Sequence, residues 1–387
     1  MKRSTGEYVT ATAGGETVKA FVPRPLPVRS PPIDPGNRLS ERIAAAEQAL
    51  ARLDLAAQMV PSMDWFLYAF VRKEATLSSQ IEGIRATLVD LLEFESGDAE
   101  TASADVTEVC NYVDALKYAR EQLASVKGLP LSMRLLNETH RRLMQGVRGE
   151  RKSPGEIRRT QNWIGGSRPG NAAFVPPPPS HLAKTIAALE KYIHGKDSLP
   201  PLIRVGLVHV QFETIHPYLD GNGRIGRLLI SLLLEHWKLL PQPVLYLSLF
   251  LKRHQAEYYR RLSAVRTDGD WEGWLDFFLD GVATTAQEAV TSARDLFAMI
   301  TSDRERILSS AATSVAALRL FQQLPGNPIV TTASVMQLLQ ITKPTAGRAI
   351  DALEDAGVLV ETTGRRRDRS FAYRRYLDRL SAGTELA

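Results

Sequence analysis

The chain has 387 residues, of which 44% are hydrophobic and 24% are charged, a composition that excludes a chain disordered throughout and allows two or more folded domains. The net charge is +5 at pH 7, and the single cysteine, Cys110, excludes a disulfide within the chain and a cysteine-based zinc site. Because neither a signal-peptide pattern nor an apolar run of membrane-spanning length is present, we expect a cytoplasmic protein that does not enter a membrane.

The first 110 residues are expected to form an arm followed by helices. Residues 1–40 are rich in glycine, threonine and proline, which predicts an extended arm that wraps the body of the protein rather than folding alone. Apolar residues at helical spacing then predict one helix from about 40 to 57 and a second, longer helix from about 63 to 95.

The next region changes from helical to extended pattern. Helical spacing continues at about 105–123 and 132–145. Residues 153–179 instead contain two short β-type runs on either side of a Pro-Gly-Asn turn, which predicts a hairpin. The four prolines at 176–179 predict a stiff spacer into the following helix. The two runs include Trp163, Ile164, Gly165 and Phe174.

Residues 216–227 carry a dense group of chemically active side chains. They read His-Pro-Tyr-Leu-Asp-Gly-Asn-Gly-Arg-Ile-Gly-Arg and lie between two segments of helical apolar pattern. Pro217 discourages continuation of the first helix. The second segment is apolar on nearly every face, which predicts a helix buried in an α-helical core, with Asn222 as its N-cap.

The start of this second helix has the features of a phosphate site. Gly221 and Gly223 leave backbone N–H groups accessible at the positive end of the helix macrodipole. Arg224 and Arg227 follow in the first turn, where guanidinium groups can bind phosphate oxygens in a bidentate manner.

Two further groups predict chemistry beside the phosphates. Asp220 would be repelled by a bare phosphate, so its carboxylate indicates a bridging cation of the Mg²⁺ type. His216 can accept a proton from a hydroxyl near neutral pH. Each residue alone also fits an ordinary turn between helices with solvated arginines; their combination favours the phosphate site.

Residues 216–227 resemble the signature motif of the Fic (filamentation induced by cAMP) family, His-Pro-Phe-x-Asp/Glu-Gly-Asn-Gly-Arg-x-x-Arg, from which only Tyr218 departs. The resemblance implies a mainly α-helical Fic bundle with a β-hairpin flap, centred on residues 111–300. It also implies an adenylyltransferase that moves AMP from ATP to a Ser, Thr or Tyr hydroxyl of a protein, including its own.

The resemblance assigns a role to each position of the motif. His216 would be the general base and Asp220 the Mg²⁺ ligand. Asn222 and the adjacent glycine amides would hold the α-phosphate, and the two arginines would bind the β- and γ-phosphates. The nucleotide-binding residues would thus be Gly221, Asn222, Gly223, Arg224, Ile225, Gly226 and Arg227.

An upstream stretch resembles the inhibitory pattern of the same family, Ser/Thr-x-x-x-Glu-Gly/Asn. It is met by Ser78, Glu82 and Gly83, of which the first two share a helix face. The resemblance implies that Glu82 pairs with Arg227 and occupies space that the γ-phosphate needs, so that the enzyme inhibits itself. Taken alone, Glu82 would be an exposed carboxylate near a helix irregularity.

The resemblance implies two further features. The hairpin at 160–175 would be a flap that docks the target segment by strand addition, although a surface hairpin without substrate contact is the alternative. Tyr258 and Tyr259 either pack in the core or line the nucleotide pocket, as a similar pair does in Fic proteins. Similar proteins form dimers, so we expect a homodimer.

Residues 315–387 predict a winged helix-turn-helix domain. Helices at about 315–324, 332–340 and 345–356 are followed by two short β-type runs. Residues 364–376 contain six arginines and one aspartate, a basic segment suited to phosphate contacts on DNA. Docking to protein is the alternative. The DNA-binding candidates are Lys343, Arg348, Arg365, Arg366 and Arg367.

The leading hypothesis is therefore a self-inhibited, Mg²⁺-dependent protein adenylyltransferase. Two alternatives stay open. One is a DNA-binding transcriptional regulator whose Fic domain senses nucleotide. The other is the reverse reaction, removal of AMP, in which Glu82 would orient a hydrolytic water. The sequence does not identify the target protein.

Overall fold

The computed structural model describes residues 3–29, 31–34, 36–59, 63–97, 103–310, 314–365 and 367–386. These residues form fifteen α-helices and five short β-strands, so the protein is mainly α-helical, as predicted. Within the described residues, every helix is too short or too polar to cross a membrane.

The fifteen α-helices account for most of the described residues. In chain order they are α1 (Gly36–Met59), α2 (Met63–Ile81), α3 (Leu88–Glu95), α4 (Ala104–Ala124), α5 (Met133–Leu143), α6 (Pro179–His194), α7 (Pro201–Ile215), α8 (Asn222–His236), α9 (Ser248–Arg253), α10 (Gln255–Asp268), α11 (Trp271–Leu308), α12 (Val315–Gln323), α13 (Thr332–Leu339), α14 (Lys343–Asp355) and α15 (Arg374–Ser381). The strands are β1 (Gly6–Ala13), β2 (Glu16–Pro23), β3 (Ile329–Thr331), β4 (Val360–Glu361) and β5 (Ser370–Ala372).

The chain divides into two compact units. The first consists of Met1–Ala51, Asn111–Pro243 and Phe250–Ala286. The second consists of Arg52–Cys110, Val244–Leu249 and Gln287–Ala387.

Helices α7 and α8 form the buried centre of the first unit. Every residue of α7 from Leu202 to Ile215 is buried, and α8 is buried from Arg224 to Leu234. Helices α6 and α10 pack against α7, and α5 packs against α8. The prediction of a helix buried within an α-helical core is confirmed, because apolar side chains on all faces of α8 require neighbours on all sides.

The turn between α7 and α8 is fixed by residues with left-handed backbone. His216 has φ 50° and ψ 63°, and its N–H bonds to the carbonyl of Phe212 to close α7. Gly221, with φ 74°, is the N-cap of α8. The prediction that Asn222 is the N-cap was wrong by one position, because its side chain bonds back to Tyr218 instead of to the first N–H groups of the helix.

The predicted N-terminal arm is in fact a β-hairpin. Strands β1 and β2 pair antiparallel through a turn at Gly14 and Gly15, both with positive φ. Three apolar residues of this hairpin pack with Val175 in a small buried cluster; they are Ala13, Val18 and Ala20. The prediction of an extended arm that does not fold alone missed this hairpin, although a Gly-Gly turn between alternating apolar residues is a hairpin signal.

The hairpin predicted at 160–175 is much shorter than expected. One antiparallel bridge joins Ile164 and Phe174 through two backbone hydrogen bonds of 2.8 and 3.1 Å. A single turn of 3-10 helix occupies Pro169–Asn171. The ladder does not extend because Gly165 and Gly166 have positive φ and the prolines from 176 onward lack N–H donors.

The predicted single helix from 63 to 95 is two helices in the second unit. Helix α2 ends at Ile81, Gly83 follows with φ 86°, and Thr87 starts α3 with a reciprocal capping box with Asp90. The prediction was wrong because the apolar spacing continues through the break, whereas the glycine and the cap interrupt the backbone.

The C-terminal part of the second unit contains α12–α15 and a small antiparallel sheet. Strand β5 lies between β3 and β4. Helix α14 packs against α12 and α13 and begins at Lys343, two residues before the predicted start. Arg374 and Arg375 belong to α15 rather than to the loop between β4 and β5, so the basic charge of that loop is smaller than the sequence suggested.

Candidate active site

His216 occupies the turn between α7 and α8. Its Nδ1 atom lies 3.3 Å from the carbonyl oxygen of Glu213. A neutral ring that donates from Nδ1 has its lone pair on Nε2, which is the state that a general base needs. The backbone of the same turn therefore sets both the position and the tautomer of the proposed base.

Arg158 holds this turn in place and was not found by the sequence analysis. Its Nε atom donates to the carbonyl oxygen of His216 at 2.9 Å, and Nη2 donates to Pro177 at 2.5 Å. Its own N–H donates to Pro217 at 2.9 Å. The side chain is 3% exposed, and burial lowers the pKa of Arg158 to about 10, so it remains charged at neutral pH.

The motif loop is closed by backbone contacts at Tyr218. The Asn222 side chain accepts from the N–H of Tyr218 at 2.9 Å and donates to its carbonyl at 2.8 Å. Asn162 donates to the same carbonyl at 3.1 Å. The Tyr218 hydroxyl, which distinguishes this motif from the family pattern, donates to Asn137 at 2.9 Å. Both polar atoms of the Asn222 side chain thus shape the loop.

His140 supports the loop from α5. Its Nδ1 accepts from the N–H of Gly155 at 2.8 Å, so Nε2 carries the proton and donates to the carbonyl of Asp220 at 2.9 Å. The ring stacks on Tyr218 with centroids 3.9 Å apart. Burial, together with the nearby charge of Arg224, lowers the pKa of His140 to about 4, which keeps it neutral near pH 7.

Asp220 has the position and charge of a cation ligand. Its Oδ1 accepts from the N–H of Gly221 at 2.7 Å, and its Oδ2 lies 3.0 Å from Nζ of Lys152. Burial opposes ionisation, but these partners hold the pKa of Asp220 below its ordinary value, so it is a carboxylate at neutral pH.

The donor set fits a magnesium ion bound together with a nucleotide. Among the described residues no cluster of three or more His, Cys, Asp or Glu side chains could hold a metal. Mg²⁺ commonly uses one or two protein carboxylates and completes its shell with phosphate oxygens and water. Asp220 beside the start of α8 supplies such a carboxylate.

Two glycines of the motif have close neighbours. A Cβ atom on Gly221 would lie 2.9 Å from Sδ of Met144, and one on Gly226 would lie 2.0 Å from Oε1 of Glu213. Arg224 and Arg227 are 3% and 2% exposed. Both side chains therefore lie in surroundings of low dielectric, where the attraction between opposite charges is stronger than in water.

Of the two candidate tyrosines, Tyr258 is a core residue. It is 1% exposed, and its hydroxyl lies 2.9 Å from Nε2 of His209, whose Nδ1 lies 3.0 Å from the carbonyl of Gly226. Burial lowers the pKa of His209 to about 3, in keeping with a structural histidine. Tyr259 is 45% exposed, and its ring centroid lies 5.2 Å from that of Tyr258.

The predicted inhibitory residues lie around the end of α2. Ser78 is fully buried within the helix. Glu82 is exposed and is the first residue after the helix, its N–H bonded to the carbonyl of Ser79 at 3.0 Å. Gly83 provides the left-handed turn that follows.

The four residues predicted to form the flap differ in how far they are exposed to solvent. Phe174 is buried, with the guanidinium of Arg266 3.9 Å from its ring centroid, and Trp163 packs on the apolar cluster of the N-terminal hairpin. Ile164 is half-buried, and Gly165 is exposed. Of these four residues, only Gly165 is exposed, and the aromatic side chains are at least partly buried.

The DNA-binding candidates lie in the second unit. Lys343 and Arg348 are exposed on α14, and Arg365 and Arg367 are exposed in the loop between β4 and β5. Arg366 lies outside the described residues.

Two ranges of the chain match protein-family models. Residues 40–121 match the Fic/DOC family N-terminal model, and residues 130–234 match the Fic/DOC family model. The chain is thus similar to Fic/DOC family proteins over these two ranges, which together make up just under half of it. The second match includes the motif loop, α7 and most of α8, so the matched range covers the candidate site.

Curated relatives of the Fic/DOC domains are named as enzymes. Protein adenylyltransferase Fic from Drosophila grimshawi is 31% identical over 184 residues, which are 47% of this chain and 34% of that protein. The protein of the same name from Drosophila virilis is 28% identical over 245 residues, 63% of this chain and 41% of that protein. The chain thus spans well under half the length of these relatives.

Solved structures share the fold of this chain. A Fic family protein from Desulfovibrio desulfuricans G20 aligns with a TM-score of 0.58 at 21% identity, over 88% of this chain and 97% of that one. A Fic domain containing signaling protein from Bacteroides thetaiotaomicron aligns with a TM-score of 0.51 at 19% identity, over 64% of this chain and 95% of that one. At these identities the likeness concerns the fold alone.

Proposed function

We propose that this protein transfers AMP from ATP to a Ser, Thr or Tyr hydroxyl of a protein, a hydroxyl of this chain included. The observation that carries the proposal is the arrangement of one short loop. That loop contains His216 with Nδ1 directed to a backbone carbonyl, the ionised Asp220, and the N-terminal end of a buried helix. The names of the Drosophila relatives support the same class of reaction.

The proposed step joins a hydroxyl oxygen to the α-phosphorus of ATP. His216 accepts the hydroxyl proton at Nε2 as the new P–O bond forms. The bond between the α-phosphorus and the bridging oxygen breaks, and pyrophosphate leaves. Backbone N–H groups at the start of α8, with Arg224 and Arg227, stabilise the negative charge on the phosphates.

Mg²⁺ held by Asp220 would neutralise charge on the phosphates and on the departing pyrophosphate. The role of the protein at this point is to keep Asp220 ionised and oriented. The N–H of Gly221 fixes one carboxylate oxygen, and His140 fixes the backbone carbonyl of the same residue.

We further propose that Glu82 restrains the reaction. This proposal rests on the match of Ser78, Glu82 and Gly83 to the inhibitory pattern of the Fic family. A carboxylate that pairs with Arg227 would compete with the γ-phosphate for the same guanidinium. ATP could then bind, but its phosphates would not adopt the geometry needed for transfer.

Replacement of Glu82 by glycine is expected to raise the rate of transfer at least about tenfold, because loss of one charged hydrogen bond is worth roughly 1.5–3 kcal/mol. The measurement is incorporation of label from α-labelled ATP into protein, in the presence of Mg²⁺. Glu82→Gln is the matched variant: it keeps the size of the side chain but removes the charge, so it is expected to raise the rate as well.

Arg85→Gln is a control, since it alters a charge three residues away on the loop that follows α2. It is expected to leave the rate at the wild-type level. Equal label incorporation by wild type and Glu82→Gly would contradict the inhibitory role. Absence of label from the Glu82→Gly protein, with its own hydroxyls and a protein extract as acceptors, would contradict the transferase proposal.

The reverse reaction uses the same groups and is the alternative within the family. Water would replace the hydroxyl as the attacking species, and Glu82 would orient it. The Glu82 variants separate the two directions, since they would lose AMP removal but gain AMP transfer.

A second candidate function is DNA binding by the C-terminal part of the chain. The observation in its favour is the exposure of Arg365 and Arg367 in the loop between β4 and β5, beside an exposed Lys343 and Arg348 on α14. Such cations bind DNA phosphates and release counterions.

Replacement of Arg365 and Arg367 by glutamine is expected to weaken binding to any duplex and to flatten its salt dependence, because each lost phosphate contact lowers the slope by about one. The measurement is fluorescence anisotropy of a labelled duplex at several salt concentrations. Arg374→Gln, at a position that pairs with Asp378 on α15, is the control. Wild-type protein that binds no duplex at low salt would rule out this function.

A further inference from the structure

Lys152 lies where a cation is expected at the candidate site. Its Nζ atom is 3.0 Å from Oδ2 of Asp220. The other oxygen of this carboxylate, Oδ1, already accepts from the N–H of Gly221 at 2.7 Å. Lys152 therefore contacts the carboxylate oxygen that does not bond to the backbone, which is the oxygen more open to a metal ion.

The backbone around Lys152 fixes this approach. The N–H of Lys152 donates to the carbonyl of Gly149 at 2.8 Å, which forms a tight turn. Gly149 has φ 92°, and a Cβ atom there would lie 3.0 Å from Oδ2 of Asp220 and 2.6 Å from Cε of Met144. The turn therefore lies in close contact with Asp220. The positive φ of Gly149 and this close approach both favour glycine at the position.

The pair is accessible enough to open. The Lys152 side chain is 55% exposed and that of Asp220 is 32% exposed. An ammonium group on a flexible stem at such a site can exchange its partner for water at small cost. It cannot remain 3.0 Å from Oδ2 when a divalent cation binds the same oxygen, because the two positive charges would repel each other.

We propose that Lys152 is a resident counter-cation of Asp220, which a metal–nucleotide complex must displace before the site is loaded. This inference rests on the proposed function and adds to it a residue that controls metal binding. Lys152 contacts Oδ2 of Asp220 in the absence of nucleotide, and it raises the divalent-ion concentration at which the site fills. The sequence motif contains no position for this residue.

The test is a binding measurement that does not depend on transfer. The full chain carrying Glu82→Gly is titrated with Mn²⁺ in the presence of α,β-methylene ATP, and free Mn²⁺ is followed by its electron paramagnetic resonance signal. Lys152→Met is expected to bind Mn²⁺ about two- to fivefold more tightly, the range that corresponds to an exposed ion pair of up to about 1 kcal/mol. The difference is expected to shrink at high salt, because the pair is screened.

Two matched variants separate charge from structure. Lys152→Arg retains the cation and is expected to bind Mn²⁺ like the parent protein. Arg151→Met removes the same charge from the neighbouring position and is expected to change the affinity less than Lys152→Met does. An equal effect of Arg151→Met would attribute the change to net charge and would overturn the proposal.

Unchanged or weaker Mn²⁺ binding by Lys152→Met would also overturn the proposal that Lys152 is a counter-cation of Asp220. The proposed function would still stand if the parent protein binds the metal–nucleotide complex. A parent protein that binds no Mn²⁺ with the nucleotide analogue would overturn the proposed function as well.

Discussion

Replacement of His216 by alanine is expected to lower the rate of AMP transfer by about 100- to 10 000-fold, the usual contribution of a positioned general base. The Nδ1 atom of His216 lies 3.3 Å from the carbonyl oxygen of Glu213, so Nε2 is the ring atom that would accept the proton. Nucleotide affinity is expected to change little, because the phosphate-binding N–H groups and arginines lie on α8 rather than on this side chain.

The measurement is single-turnover incorporation of α-labelled ATP in the Glu82→Gly background, combined with a binding titration of the nucleotide. His181→Ala is the control, since this histidine of the first unit contacts Ser180 at the start of α6. A His216→Ala protein that transfers label at the parent rate would exclude His216 as the base.

Replacement of Arg158 by methionine is expected to destabilise the protein by about 2–4 kcal/mol, because it leaves buried carbonyl groups without a charged donor. The carbonyl oxygens of His216 and Pro177 lose their partner, although methionine retains much of the alkyl volume. Transfer is expected to fall by up to about 100-fold as well, since a shift of about 1 Å in a catalytic group has effects of that size.

Denaturant unfolding gives the stability change, and the rate is measured well below the unfolding midpoint. Arg159→Met is the matched control: Arg159 is the next residue, is exposed, and pairs with Glu156 at 3.6 Å. Its replacement is expected to change stability by no more than about 0.5 kcal/mol. Equal stability of the Arg158 and Arg159 variants would show that the buried guanidinium does not hold the turn.

The core of the candidate site could be predicted because its signals are local. Pro217, the glycines around Asn222 and the apolar run of α8 are adjacent in sequence, and each constrains the backbone directly. The structure agrees with the end of α7 at His216 and with the burial of α8. The N-cap of α8 differs from the prediction by one residue, since it is Gly221 and not Asn222. Capping depends on the direction of a side chain, which the sequence does not reveal.

The supporting residues could not be predicted because their partners are distant in sequence. Arg158 acts on a carbonyl 58 residues away, and Lys152 pairs with a carboxylate 68 residues away. His140 bonds to the carbonyl of a residue 80 positions further on. A single charged or polar residue within a helical or turn pattern gives no sign of such a partner, and only the packed fold brings the two together.

The N-terminal hairpin was missed for a different reason. Composition rich in glycine, threonine and proline favours an irregular segment, whereas the alternation of Val9, Ala11 and Ala13 around Gly14 and Gly15 carried the correct signal. The alternation has only small apolar residues on its buried face, so the hydrophobic pattern is weak. Its burial depends on Val175, which is far along the chain.

The central claim, that this chain moves AMP and not phosphate, is tested most directly by the position of the label. The Glu82→Gly protein is incubated with Mg²⁺ and ATP labelled either at the α- or at the γ-phosphorus, and protein-bound label and released pyrophosphate are measured together. The proposal predicts that only the α-label becomes bound to protein, with one pyrophosphate released for each AMP transferred. Protein-bound γ-label, or α-label released solely as ADP, would contradict it.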